Sequence, residues 1–336
     1  MHALFLASAL LAGCLLAVQA SANLQLNKAV GTPYGASTLQ LSVAAALLAL
    51  LAVAAGAIGA VRLVPGIPVW HLLGGLASPL YITSGILLFP RLGALAAAGL
   101  FVTGQMFASL GLDLFGLLGV ARRPPSIGMA LGALAVLAGI TVVVREQRTA
   151  PPTPGPAPKA QEGPAGGART ATLTSPAVTG VRRAGGRGGW ILLGIVAGAV
   201  LPVQGAVNAA LRADIHEPVT TAMISFIVAT VTIAVVLIAL LATRRTPAPR
   251  LGGLPAMPWW GWLGGACAAA YVSATFTLIP AIGAATTVAL TVTGQQLASA
   301  VIDGRGLLRL PRRPLTAPRL SGLALLVAGS ALVQLT

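Results

Sequence analysis

Apolar runs of about 20 residues recur along the whole chain with short polar breaks between them, a spacing that suits helices crossing a bilayer. Ten spans are predicted, at 3–22, 37–60, 70–89, 93–112, 126–144, 190–211, 220–242, 259–279, 282–302 and 319–335. One stretch breaks the rhythm. Residues 145–189 form a Pro/Gly/Ala tract that cannot bury a core and reads as a flexible linker. The predicted organisation is a first five-helix repeat at 1–144, the linker at 145–189 and a second five-helix repeat at 190–336.

The repeat is visible when the chain is laid on itself. With an offset of 190, 26 of the 70 positions between Trp70 and Gly139 are identical. Matched pieces include Trp70/Trp260, Gly74-Gly75/Gly264-Gly265, Tyr81/Tyr271, Pro90/Pro280 and Thr103-Gly104-Gln105/Thr293-Gly294-Gln295. Asp113/Asp303 and Arg122-Arg123-Pro124/Arg312-Arg313-Pro314 continue the series. Nearer each start the offset is 185, pairing Val18-Gln19 and Asn23 with Val203-Gln204 and Asn208, and Pro33 with Pro218. A five-residue insertion is therefore expected in the second repeat, in the loop at 243–258.

An odd number of spans per repeat makes the two halves enter the membrane from opposite sides, so the repeats are inverted. Charge placement agrees. Seventeen basic residues, among them Lys28, Arg91, Arg244, Arg245, Arg250, Arg305 and the seven of the linker, fall on one side, against Arg62, Arg122, Arg123 and Arg212 on the other. The positive-inside rule then puts the linker in the cytoplasm and both termini outside. Leu11-Ala12-Gly13-Cys14 resembles a lipoprotein processing box and Ala20-Ser21-Ala22 a signal-peptidase site. No Lys or Arg precedes the run, and cleavage would leave one repeat a helix short, so the segment is expected to stay as a span.

Composition narrows the function. Of 336 residues 56% are hydrophobic and 8% charged, which places the chain in lipid, and its net charge of +15 sets orientation rather than nucleic-acid binding. His2, His71 and His216 are isolated near interfaces and the six acids are scattered, so no catalytic or metal-ligating constellation is visible. Cys14 and Cys267 lie in apolar segments and form no disulfide framework. No phosphate-cradling Gly-x-x-x-x-Gly-Lys sequence is present. The chain reads as a non-enzyme without a metal or other cofactor. Its expected partners are a small-molecule substrate and the lipid bilayer, with a homodimer left open.

Amides inside hydrocarbon must face protein, water or a solute. Gln19 and Asn23, four apart on the first helix, are repeated by Gln204 and Asn208 on the sixth, while Gln105 and Gln295 follow Thr-Gly pairs near mid-span. These six, with Tyr81 and Tyr271, are the candidate substrate-binding residues, and interhelical hydrogen bonding is the competing reading. Asp113 and Asp303 are expected to pair with the following arginines at the interface, with proton coupling as the alternative. The spacings Gly128/Gly132, Gly194/Gly198 and Gly261/Gly265 predict close helix contact, and Trp70, Trp259, Trp260 and Trp262 predict interface anchors.

The fold expected from these patterns is an all-α integral membrane protein of about ten transmembrane helices, built as two inverted five-helix repeats. Leu201 to Arg212 (LPVQGAVNAALR), Pro258-Trp259-Trp260, Gly264-Gly265, Thr293-Gly294-Gln295 and Arg312-Arg313-Pro314 resemble the YdcZ-like family of the drug/metabolite transporter superfamily. The usual member resembles one half, so the chain looks like a tandem fusion. The first half departs from the pattern at Ala17 and Ala20, where the second has Pro202 and Gly205. The resemblance implies an exporter of small molecules in the inner, plasma membrane. The sequence-level mechanism is a rocking of the halves that exposes a weakly polar cavity between helices 1, 4, 6 and 9 to each side in turn. A non-transporting scaffold or regulatory subunit, or an uncoupled channel, is the alternative.

Overall fold

The structure, a computed structural model, describes residues 2–149, 187–282 and 284–335. The predicted linker has only its two ends among them, 145–149 closing one helix and 187–189 opening the next. No strand occurs among the described residues. The helices are α1 (His2–Val30), α2 (Pro33–Ala54), α3 (Val69–Leu92, with a 3-10 turn at Leu73–Leu76), α4 (Ala94–Phe115) and α5 (Ile127–Thr149). The second set is α6 (Arg187–Ile215), α7 (Pro218–Ala242), α8 (Leu263–Ile282), α9 (Ala284–Arg305) and α10 (Ala317–Leu335). Eight of them are long and apolar enough on their own to cross a bilayer. The other two, α8 and α9, occupy the repeat positions of α3 and α4, which gives five helices in each half.

Several boundaries differ from expectation, and three of them have a clear physical reason. α1 runs to Val30 rather than 22, because Ser21, Asn23 and Gln25 are covered by the second half instead of meeting water. Gln25 Nε2, for example, donates to the Leu308 carbonyl at 3.1 Å. α2 begins at Pro33, where the missing N–H costs nothing in a first turn. It stops at Ala54 rather than 60, since Gly56 turns left-handed at φ 69° and leads into a 3-10 segment, Ala57–Gly66. The expected loop insertion is also redistributed: α7 has 25 residues against 22 for α2, so most of the extra length extends the helix.

The halves are interleaved. α1 packs against α8 and α9, α6 against α3 and α4, α2 against α7, and α5 against α10. Glycine makes these crossings close. A Cβ on Gly13 would stand 1.9 Å from the Thr291 carbonyl oxygen and one on Gly294 2.0 Å from that of Leu10; in the mirrored crossing Gly104 meets Ile195 at 1.9 Å and Gly198 meets Phe101 at 2.1 Å. α5 and α10 run antiparallel, with Gly132 against Gly329 and Gly139 against Gly322. Of the predicted small-residue pairs, Gly194 and Gly198 sit in such a contact; Gly261 instead faces the Met257 side chain, within its own repeat.

Polar side chains follow the same mirror. The Asn23 carboxamide oxygen lies over Gly264 and that of Asn208 over Gly74, each joining the first helix of one half to the third helix of the other. At one end of the bundle Thr32 and Thr246 hydroxyls meet at 3.0 Å and Glu146 bonds to Thr316; at the opposite end His71 bonds to Asp214 and the Thr220 hydroxyl donates to the Ala57 carbonyl at 2.8 Å. The α2–α7 contact is thus made twice, once at each end, as inversion requires.

The glycine crossings generate a paired expectation. Gly132→Ala puts a methyl group 2.6 Å from the Gly329 carbonyl oxygen and should destabilise the detergent-solubilised protein by about 1–3 kcal/mol. Gly111→Ala, on α4 with nothing within 4 Å, should be neutral or raise Tm slightly through helix propensity. Thermal unfolding of the two variants side by side checks this, and equal shifts would remove the glycine argument.

Candidate functional site

Where the crossings leave a gap, a cavity of about 400 Å³ lies between the halves. It extends from mid-bundle, at Tyr81, Gln105 and Gln204, toward the end that carries Asp113, Val120 and Arg212. The wall draws on more elements than helices 1, 4, 6 and 9 of the sequence reading. α3, α7, α8 and α10 also contribute, through Ser78 and Ile82, Phe226, Val272 and Gln334 respectively. Apolar side chains supply most of the surface, among them Leu16, Val102, Met106 and Val292.

Of the candidate residues, Gln19, Tyr81, Gln105, Gln204, Asn208 and Tyr271 line this cavity. Asn23 and Gln295 do not. Asn23 is 1% exposed and engaged with Gly264, and Gln295 is committed to Tyr81, whose hydroxyl accepts from its Nε2 at 3.0 Å. Gln204 Nε2 donates to Ser78 Oγ at 2.8 Å, which orients the amide and leaves its oxygen with no partner among the described residues. Gln19 Oε1, Gln105 Nε2 and Asn208 Oδ1 are likewise buried without a partner among the described residues. A buried amide left unpaired costs roughly 1–3 kcal/mol, so four of them on one cavity wall need an explanation.

The site departs from its own pseudo-symmetry. The Tyr81–Gln295 bond has no equivalent between Tyr271 and Gln105, whose Nε2 has no partner among the described residues; Tyr271 instead has the Thr291 side chain beside it. Sequence contributes to that difference. Position 291 corresponds to Phe101, whose ring lies 4.8 Å from that of Tyr81 and offers no hydroxyl.

The two aspartates are in opposite situations. Asp113, in the last turn of α4, lies on the cavity wall, with Arg123 Nη1 3.9 Å from its carboxylate. Asp303, in the last turn of α9, is 1% exposed. Its oxygens accept from the Ala94 and Leu95 backbone N–H groups at 2.8 and 3.0 Å, at the first turn of α4, and from Arg319 Nη2 at 3.1 Å. The pairing expected with the following Arg-Arg-Pro is only part of the arrangement at Asp303, whose carboxylate has the Arg313 side chain in its vicinity and a closer partner elsewhere. The Arg313 backbone N–H bonds to the Asp303 carbonyl at 2.7 Å, while the carboxylate takes Arg319 from α10. No sequence signal marked Arg319, since position 129 of the first repeat holds Met.

Around Asp303 the bundle is sealed. Arg319 Nη1 also reaches the carbonyls of Arg313 and Pro314, at 3.2 and 3.0 Å, and Gln25 closes over Leu308 beside them. The cavity is thus shut at the Asp303 end and extends to the Asp113 end. Among the described residues no group of three or more His, Cys, Asp or Glu side chains could hold a metal ion.

Comparison with known proteins places this architecture. A crystal structure described only as that of a protein is similar over 98% of this chain and 97% of its own length, with TM-score 0.53 and 21% identity, a likeness of fold. No curated protein matches the chain. The model of the family described as "Putative inner membrane exporter, YdcZ" matches twice, over residues 4–142 and 189–332. Two copies of that unit, one in each inverted half, make this chain a tandem member of the YdcZ family of drug/metabolite transporters, a multi-pass protein of the inner membrane.

Proposed function

We propose that the protein is a secondary carrier that exports small organic molecules by alternating access, with the cavity between the halves as its substrate site. One observation carries this reading. A mostly apolar cavity at mid-membrane holds unpartnered buried amides from both repeats, is shut at one end and extends to the other. Carriers built from inverted repeats bind at that depth, and their alternation exchanges the conformations of the two halves. Units bounded near 1–144 and 190–336 would be the two exchanging halves.

The wall defines the chemistry of the solute. Leu16, Ile82, Val102, Met106 and Val292 favour an apolar body, while the free ends of Gln19, Gln105 and Gln204 offer hydrogen bonds to a polar group. The solute is therefore amphipathic and neutral or singly charged. Asp113 and Arg212, on the wall toward the extended end, give either sign of charge one partner on entry or exit.

Two measurements test the reading. Purified protein screened by thermal unfolding against metabolites, lipophilic cations and antibiotics should yield a stabilising compound, worth about 2.7 kcal/mol at 100 times its Kd. Gln105→Ala should abolish that ligand shift with little effect on the free protein. Gln295→Ala should lower stability of the free protein by about 1 kcal/mol, because it breaks the bond to Tyr81. A panel with no hit on well-folded protein, joined to absence of flux in liposomes, would favour the scaffold reading; flux without saturation would favour a channel.

The second concerns orientation, with the linker end in the cytoplasm. In intact cells an impermeant maleimide should label Leu118→Cys and reach Arg245→Cys only after permeabilisation, both positions being exposed at opposite ends of the bundle. The reverse pattern would invert the export reading.

A further inference from the structure

We propose that Asp113 and Asp303 are a pair of reciprocal latches: each caps the first turn of the other repeat's fourth helix, and only one cap is made at a time. The inference rests on the carrier reading and assigns the groups that hold each end shut.

Inversion brings the end of α9 to the start of α4. Asp303 uses that meeting by placing both carboxylate oxygens on the two N–H groups that open α4, at Ala94 and Leu95. A carboxylate there satisfies orphan donors and faces the positive end of the helix dipole. Gly93 makes room for it: its φ is 79°, and a Cβ at that position would lie 2.8 Å from Asp303 Oδ2. The bond joins the two repeats and lies at the sealed end.

The sequence repeats the same parts. Under the offset of 190, Asp303 corresponds to Asp113, Ala94 and Leu95 to Ala284 and Ala285, and Gly93 to Gly283. Ala284 opens α9. Asp113 sits in the last turn of α4, on the cavity wall, with its carboxylate near Arg123 rather than on α9. Exchanging the conformations of the repeats seats Asp113 on the first turn of α9 and lifts Asp303 from α4. In this reading Asp113, with Arg123 3.9 Å away, is the unlatched member of the pair, at the end to which the cavity extends.

The sealed end carries one addition. Arg319 belongs to the same repeat as Asp303, so when the latch opens the carboxylate leaves the α4 amides and keeps its guanidinium partner. No buried charge is stranded. Met129 holds the corresponding position in the first repeat and offers no guanidinium, so the two latches differ in strength.

Spin-label distances test this in the full chain, in a Cys14→Ser/Cys267→Ala background. Labels at Arg91→Cys and Arg305→Cys span the sealed end, and labels at Leu118→Cys and Ala281→Cys the extended one. Asp303→Asn should raise the population of long distances at the sealed end by about tenfold and shorten those at the other. Asp303→Asn with Arg319→Met, which removes the buried cation as well, should do the same and covers the case in which the single variant fails to fold. Adding Asp113→Asn to either should undo the shortening, whereas Asp113→Asn alone should leave both ends as in wild type. An unchanged sealed-end distance in the folded double variant overturns the latch, as does closure of the other end without regard to Asp113. If two populations still interchange, the carrier reading stands without the latch; liposome flux, measured separately, decides that reading on its own.

Discussion

Contact between backbones across the two halves is the constraint on which the rest of this structure depends. In lipid, apolar side chains gain nothing by leaving one hydrocarbon surface for another, so helices associate through close fit and satisfied polar groups. Gly13, Gly104, Gly198 and Gly294 let α1 reach α9 and α6 reach α4 within van der Waals range of carbonyl oxygens. Those two crossings hold the middle of the bundle. The cavity lies where Gln19, Gln105 and Gln204 line a gap between the helices, so candidate site and scaffold have a common origin in how near the crossing helices come.

Much of the architecture was legible in the chain. Trp70/Trp260, Thr103-Gly104-Gln105/Thr293-Gly294-Gln295 and the Asp/Arg-Arg-Pro pieces revealed the repeat, and parity of the spans gave its inversion. Helix ends were less legible, because a polar residue stops a span only if it meets water, and Asn23 and Gln25 are covered by the other half. The site was read in part. Amides on a span attract notice, but the sequence does not say which are taken up by a neighbour, as the Gln295 Nε2 is by Tyr81, or lie packed away from the cavity, as Asn23 does over Gly264. Apolar wall residues such as Ile82 and Phe226 were invisible, since nothing distinguishes an apolar side chain facing a cavity from one facing lipid. Arg319 escaped because the search followed matched positions, and its match is Met129.

Departures from symmetry carry information of their own. Phe101 opposite Thr291, Ala17 opposite Pro202 and Met129 opposite Arg319 mean that the two conformations of the proposed carrier would be unequal in energy. A perfectly duplicated chain would have no preferred state. Here the Tyr81–Gln295 bond favours one arrangement, and in the proposed carrier the binding energy of a solute would offset that preference to populate the other.

Interleaving also has a consequence for how the molecule is made. When α5 has been synthesised, the grooves over Gly13, Gly104, Gly132 and Gly139 await partners that all lie in helices still to come. The first half cannot complete its fold alone and must persist in the bilayer as an unfinished surface, open to pairing with whatever copy is nearest. Joining both halves in one polypeptide supplies the missing surface at high effective concentration and in a one-to-one ratio. Covalent tandem arrangement therefore decides which half finds which, and allows the two to diverge at positions such as 129 and 319 without forming mismatched pairs.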